Sequence, residues 1–188
     1  GLIMATSTNR ITTAEQLLHT PDLGRCELLR GELIMMSPSG SLHGAVVIRI
    51  SGPLWNHVEQ HCLGMVFGAE TGFHIGRDPD TVRAPDVAFV GAERLAGGLP
   101  RGFFSGAPDL AVEVLSPEDR PGKVLAKTGD WLQGGCRMVW VVDPERHTVA
   151  VYRSAGDVHV LGASEKLSGQ DVLPGFSLPV GEIFPAAL

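Results

Sequence analysis

The sequence predicts an α/β or α+β fold with one central sheet. Val46, Ile50, Leu54 and Val58 recur every fourth residue, the spacing of a helix buried along one face. Residues 86–90, 110–115 and 138–142 are short apolar runs of strand length, and the run at 110–115 reads as a buried strand. Helical and strand-like segments alternate in the order helix, strands, helix, strands, which suits helices layered on a sheet. The 188 residues fit a single domain, 1–188, large enough to bury a real core.

Residues 1–10 read as a vector remnant and a mobile start, because Gly1, Leu2 and Ile3 precede Met4. Residues 13–19 form a brief helix with Thr12 or Thr13 as its cap. Residues 26–36 alternate about Gly31 and predict a hairpin, followed by a Ser/Pro/Gly loop at 37–41. The long amphipathic helix covers about 42–61, and Gly52-Pro53 is placed to kink it. Strands are expected over 65–75 and 86–90, joined by the polar turn Arg77-Asp78-Pro79-Asp80, with a glycine-rich loop over 91–105. A helix over 119–133 begins with Asp119 as candidate cap and Pro121 in its first turn, and stops at Gly134-Gly135. Its buried stripe is Val124, Leu125, Thr128, Trp131 and Leu132. Residues 138–142 and 148–152 flank Asp143-Pro144-Glu145-Arg146 as a further hairpin, and the tail to 184 is strand-like and irregular.

Composition narrows the function classes. No stretch has the apolar length of a membrane span, and none resembles a signal peptide. Cys26, Cys62 and Cys136 are isolated, match no zinc pattern and imply no disulfide framework, so a reducing cytoplasm is expected. The net charge of −6 argues mildly against non-specific nucleic-acid binding but allows a local basic groove. No P-loop, dinucleotide fingerprint or nucleophile elbow is present. His57 and His61 stand four apart on one helix face. With no third ligand nearby they read as a solvated face rather than a zinc site. Trp55, Trp131 and Trp140 read as core or interface anchors.

The acids carry the chemistry. Glu113 interrupts the apolar run 110–115, and a carboxylate there needs a positive partner. Asp86 stands at the mouth of a second apolar strand, just after Pro85. Neighbouring strands can bring these two carboxylates close enough to share one cation, and oxygen donors of this kind suit Mg²⁺ or Mn²⁺. Lys127, at the edge of the buried stripe, can reach the end of the Glu113 strand; alternatively it snorkels to solvent. Lys123 lies farther from the stripe.

The stretches "CELLRGELIMMSPSGSLHG", "VRAPDVAFV", "GAPDLAVEVLSPEDR", "MVWVVDP" and "LPGFSLPVGEIF", with the Lys127-x-x-x-Trp131 pair, together resemble the Uma-type family of restriction endonucleases, within the PD-(D/E)XK nuclease superfamily. The likeness runs from about Cys26 to Phe184. It implies a restriction-endonuclease-like fold, a mixed central sheet flanked by helices. It also implies an acidic pair at Asp86 and Glu113. The superfamily's usual lysine would stand two residues after the second acid, where this chain has Leu115, so the resemblance shifts that role to Lys127. It implies a further metal contact from the Val114 carbonyl. It draws attention to Glu27 and His43 as supporting groups or further ligands. The plainer alternatives are a cross-strand pair between Glu27 and an arginine such as Arg30, and a helix-start role for His43. Ser116 either caps its loop or touches a metal-bound water.

The expected function is metal-dependent hydrolysis of phosphodiester bonds, with DNA as the expected partner and a homodimer suited to cutting both strands. Two alternatives stand beside it. One is a nucleic-acid-binding or regulatory module of the same fold with weak or no catalysis. The other is a cupin-type protein with a histidine-bound transition metal.

Overall fold

The computed structural model describes residues 10–186; the expected remnant and mobile start therefore fall outside the described residues, apart from Arg10. Helix α1 (Ala14–Leu18) opens with a capping box. The Thr13 hydroxyl accepts from Gln16 N–H at 3.2 Å, and the Gln16 side chain accepts from Thr13 N–H at 3.2 Å. Strands β1 (Cys26–Leu29) and β2 (Glu32–Met35) form the expected hairpin, turning through Arg30 and Gly31 at positive φ. Helix α2 (Ser41–Gln60) continues through Pro53.

The expected strand over 65–75 is two strands in two different sheets. β3 (Gly64–Phe67) and β4 (Phe73–Gly76) are separated by a glycine-bounded turn in which Glu70 has φ +69°. The 77–80 turn thus joins β4 to β5 (Thr81–Arg83), and β6 (Val87–Gly91) follows separately. The glycine-rich loop contains a short 3-10 turn at Ala92–Leu95 and a two-residue strand, β7 (Phe104–Ser105).

β8 (Leu110–Val114), α3 (Pro121–Gln133) and β9 (Met138–Asp143) form a crossover unit, so β8 and β9 run parallel. Arg120, not Asp119, holds the cap position of α3, and its side chain makes no capping bond. Asp119 instead accepts from Ser116 N–H at 2.7 Å, closing the preceding loop. Leu125 is exposed, contrary to the expected stripe. At 3.6 residues per turn it is rotated about 120° from Trp131, whereas Val124 lies within about 20° of it. β10 (Thr148–Ser154), β11 (Asp157–Leu161), β12 (Lys166–Ser168) and β13 (Ser177–Pro179) complete the chain, with a 3-10 turn at Val180–Ile183.

The main sheet has the order β11-β10-β9-β8-β6-β3 and is mixed, antiparallel except at β8–β9. A second sheet, β2-β1-β5-β4-β7, stands beside it; the sequence did not separate the two. Period-two alternation assigns the faces. Val87, Phe89, Leu110, Val112 and Val114 pack with the α2 residues Val46, Ile50, Leu54 and Val58. Ala88, Val90, Ala111, Val139 and Val141 pack with Trp131 of α3 and with Phe73 and Phe104 of the second sheet. A smaller cluster of Leu28, Val82, Ala14 and Leu17 ties α1 to β1 and β5.

Candidate active site

The site forms where the chain crosses from the second sheet to the main one, at Ala84-Pro85-Asp86. Pro85 has no N–H to give to a ladder, so strand pairing pauses there. Asp86 resumes it by donating its N–H to Val112 O at 3.0 Å. The antiparallel register pairs Val87 with Val112, and one residue back it sets Asp86 opposite Glu113. The Asp86 carboxylate then fills the ladder place that β6 leaves open: Oδ2 accepts from Val114 N–H at 2.8 Å. Its other neighbours are cationic or can become so. His43 Nε2, from the first turn of α2, lies 3.3 Å from Oδ2, and an Arg25 amino group lies 3.3 Å from Oδ1.

Glu113 alternates with Val112 and Val114 and so faces α3. There its Oε1 accepts from Trp131 Nε1 at 2.9 Å and lies 3.2 Å from Lys127 Nζ. Lys127 also reaches Oε2 of Glu27 at 3.4 Å. Glu27 gets to this place by the same alternation. Leu28 beside it is fully buried against Val82, and the register Leu28↔Val82 puts Glu27 across from Arg83 on the opposite face. Arg83 binds Glu27 Oε1 at 3.1 Å and Asp130 at 3.0 Å, while Ala84 N–H gives Glu27 Oε2 a 2.8 Å bond. Glu27, Arg83 and Asp86 are only 3%, 8% and 4% exposed. These charges are affordable because each carboxylate has both a cation and an N–H donor.

The electrostatics separate the two acids of the pair. Burial acts to raise the Asp86 pKa, but the hydrogen bonds from His43 and from Val114 N–H outweigh it and hold the carboxyl below its ordinary value. The same bond to Asp86 raises His43 above its ordinary value, against desolvation. For Glu113 burial wins. It pushes the carboxyl up to about 7, Lys127 pulls it back only in part, and the fields of Asp86 and Glu27 add to the rise. Desolvation acts to lower the Lys127 pKa, but Glu113 and Glu27 overcome it, so the ammonium stays charged.

Among the described residues no three His, Cys, Asp or Glu side chains converge as a ready metal cage. The oxygen donors at hand are the Asp86 and Glu113 carboxylates, with the Val114 carbonyl as the further contact that the resemblance implies. Among the described residues, Oε2 of Glu113 has no hydrogen-bond partner, since Trp131 and Lys127 both engage Oε1. A hard cation that keeps most of its water fits this oxygen set, and Mg²⁺ or Mn²⁺ fits it better than a nitrogen- or sulfur-seeking metal.

Glu113, Lys127 and Glu27 form one cluster, and Asp86 with His43 adjoins it through Val114 N–H and the 86–113 register; among the described residues the Ser116 side chain has no hydrogen bond to either. The Ser116 backbone N–H donates to the Asp119 carboxylate and its carbonyl accepts from Asp119 N–H, so the side chain that caps this loop is that of Asp119. Glu27 is indeed a cross-strand partner of an arginine, but of Arg83; Arg30 pairs with Asp130 at 3.3 Å. Lys123 is exposed, and Lys127 is 16% exposed with two carboxylate partners. His57 Nε2 donates to Pro174 O at 2.9 Å, and its ring lies tilted against that of His61, with centroids 4.3 Å apart. Sequence reasoning missed Arg25 and Arg83, and it read Trp131 as a core or interface anchor without its hydrogen bond to Glu113. The signal for Arg83 was present: an arginine two residues before Pro85 at the end of an apolar strand.

A family model described as "Putative restriction endonuclease", Uma2, matches residues 13–181. A crystal structure titled as a "putative nuclease belonging to DUF820" from Anabaena variabilis superposes with a TM-score of 0.80 at 23% identity, covering 92% of this chain and 97% of that one. No curated protein matches the chain in sequence.

Proposed function

Because the chain belongs to the Uma2 family, we propose that it is a metal-dependent nuclease that hydrolyses phosphodiester bonds in DNA. The observation that supports this best is the meeting of Asp86, Glu113 and Lys127 at one end of the β6–β8 pair, with the lysine delivered from α3. In this reading Asp86, Glu113 and the Val114 carbonyl would hold Mg²⁺ or Mn²⁺, which would supply Lewis-acid chemistry to the phosphate and to the water that attacks it.

The chain's own residues do the rest. Lys127 keeps a charged ammonium beside Glu113, where it orients the attacking water and offsets negative charge developing on the phosphorus oxygens. Glu27 anchors that ammonium from the far side, and Arg83 in turn holds Glu27. Trp131 fixes the rotamer of Glu113 through its indole N–H. His43 and Val114 N–H keep Asp86 ionised and aimed. The protein acts in the cytoplasm, where its three free cysteines stay reduced, and as a homodimer when both strands are cut.

The test is a panel of plasmid and oligonucleotide substrates with Mg²⁺, Mn²⁺ and chelator, run with the wild type and Glu113→Gln. Metal-dependent cutting lost by several orders of magnitude in the variant is the expected result. Equal cutting by both proteins sinks the assignment. No cutting of any DNA or RNA turns the reading to a binding module of the same fold.

A further inference from the structure

We propose that Arg25 is a substrate-binding residue and that the cavity it lines takes one unpaired nucleotide beside the bond to be cut. This deepens the nuclease reading above and rests on it. Arg25 stands between Asp86 and a cavity of about 420 Å³ whose other walls include Leu18, Val82, Phe103 and Glu70. Its guanidinium is poorly used. Among the described residues its polar contact is a single 3.3 Å approach to Asp86, long for a charge-assisted bond. Its Nε is buried with no partner. A guanidinium has five N–H donors in a planar fork, and the acceptor that fork fits best, besides a carboxylate, is a phosphate.

Among the described residues that line this cavity or the acid pair, Arg25 is also the cation free to change partners. Arg83, on the same cavity wall, is committed to Glu27 and Asp130. Lys127 is committed to Glu113 and Glu27. If Arg25 turns to a phosphate, Asp86 keeps His43 and Val114 N–H, so no buried carboxylate is stranded.

The cavity suits a nucleotide rather than a duplex. Its volume is that of a small-molecule pocket. A paired base lies inside its stack and enters such a pocket only when unpaired or flipped out. Phe103 supplies an aromatic wall. Gly72 makes that wall possible, since a Cβ there would lie 2.4 Å from the Phe103 ring. Base faces stack on such rings whatever the sequence. Glu70 and Asp22 line the cavity too, and they would accept hydrogen bonds from base amino groups while repelling phosphate, which leaves the phosphate to Arg25.

The experiment measures binding without cutting. Fluorescence anisotropy with Ca²⁺ in place of Mg²⁺ compares a labelled single strand, a blunt duplex and a duplex carrying one unpaired nucleotide, in DNA and in RNA. The single strand and the bulged duplex should bind at least tenfold tighter than the blunt duplex, in one or both chemistries. Arg25→Gln should remove at least tenfold of that affinity, with Arg25→Lys recovering part. Phe103→Leu should erase the preference for unpaired strands and leave duplex binding unchanged. Thermal melts report whether each variant is folded, and the Phe103 variant decides the matter if Arg25→Gln is not. Equal binding of blunt duplex and single strand by the wild type overturns the proposal, as does unchanged binding in the folded Arg25 variants. A preference for unpaired strands without any cutting in Mg²⁺ would retain this pocket and reject the nuclease. Cutting that depends on Glu113, without the preference, would do the reverse.

Discussion

Lys127 Nζ lies 3.2 Å from Glu113 Oε1, although the two residues belong to different elements, a helix and the strand before it. The same ammonium touches Glu27 from the second sheet. Lys127 is thus the one cation beside Glu113 among the described residues, while Glu27 also has Arg83, so removing the lysine strands Glu113. Lys127→Met should destabilise the fold by about 3 kcal/mol or more, since breaking a buried pair leaves an uncompensated charge. Glu113 can escape part of that penalty by taking up a proton. The loss should thus be smaller at pH 5.5 than at pH 8, which chemical denaturation at the two pH values will measure. A loss independent of pH would mean that Lys127 and Glu113 are not coupled.

Glu113 itself should leave a mark on stability against pH. Its folded pKa, raised to about 7, lies above the ordinary value of 4.5. The folded state therefore binds more protons than the unfolded state between those two values. Stability from this group is complete below about 4.5 and is lost as pH rises through about 7. Measured in chelator, the melting temperature of Glu113→Gln should gain on the wild type across that window and hold a constant lead above it. A lead that shrinks with rising pH contradicts the raised pKa.

Metal affinity should follow the same proton. A cation at Glu113 must displace it, so Mn²⁺ binding by calorimetry should tighten with pH up to about 7 and then level off. Binding of equal strength at pH 5.5 and pH 8 would remove Glu113 from the ligand set. His43→Asn should weaken Mn²⁺ binding by roughly 10- to 100-fold, the usual effect of losing the group that orients a ligand.

The two arginines that meet Asp130 should differ sharply. The Arg83 side chain is buried and joins two carboxylates, whereas the Arg30 side chain is 65% exposed and makes one 3.3 Å pair. Arg83→Met should cost about 3–5 kcal/mol. Arg30→Ala should cost about 1 kcal/mol or less. Urea titrations of both variants, read beside the wild type, test this; similar costs would show that the Glu27–Arg83 pair carries no special burden.

Much of this was legible in the chain. Periodicity of four marked the buried face of α2, and valine-rich runs marked β6, β8 and β9. A charged residue inside an apolar run marked Glu113, because burial makes such a residue expensive unless something answers it. The acid after Pro85 marked Asp86. The 65–75 segment was misjudged: the turn bounded by Gly68 and Gly72 divides it, and only its neighbours show that the two halves serve different sheets. Leu125 was misjudged because a helical stripe has an edge, and what the edge packs against is not local information.

By itself the sequence determined which residues had to be inside and which of them would need a partner. Hydrophobic period and the cost of burying charge are properties of a segment and can be read from it. Which cation answers which carboxylate was decided only by the tertiary structure. The Glu27–Arg83 pair exists because β1 and β5 share a register. Asp86 faces His43 and Arg25 because the chain crosses between sheets just where α2 begins to cover the main one. Lys127 reaches both glutamates because the β8–α3–β9 crossover lays α3 over the face that Glu113 shares. Salt bridges act over a few ångströms, and the distances between these elements are set by the packing of the whole core.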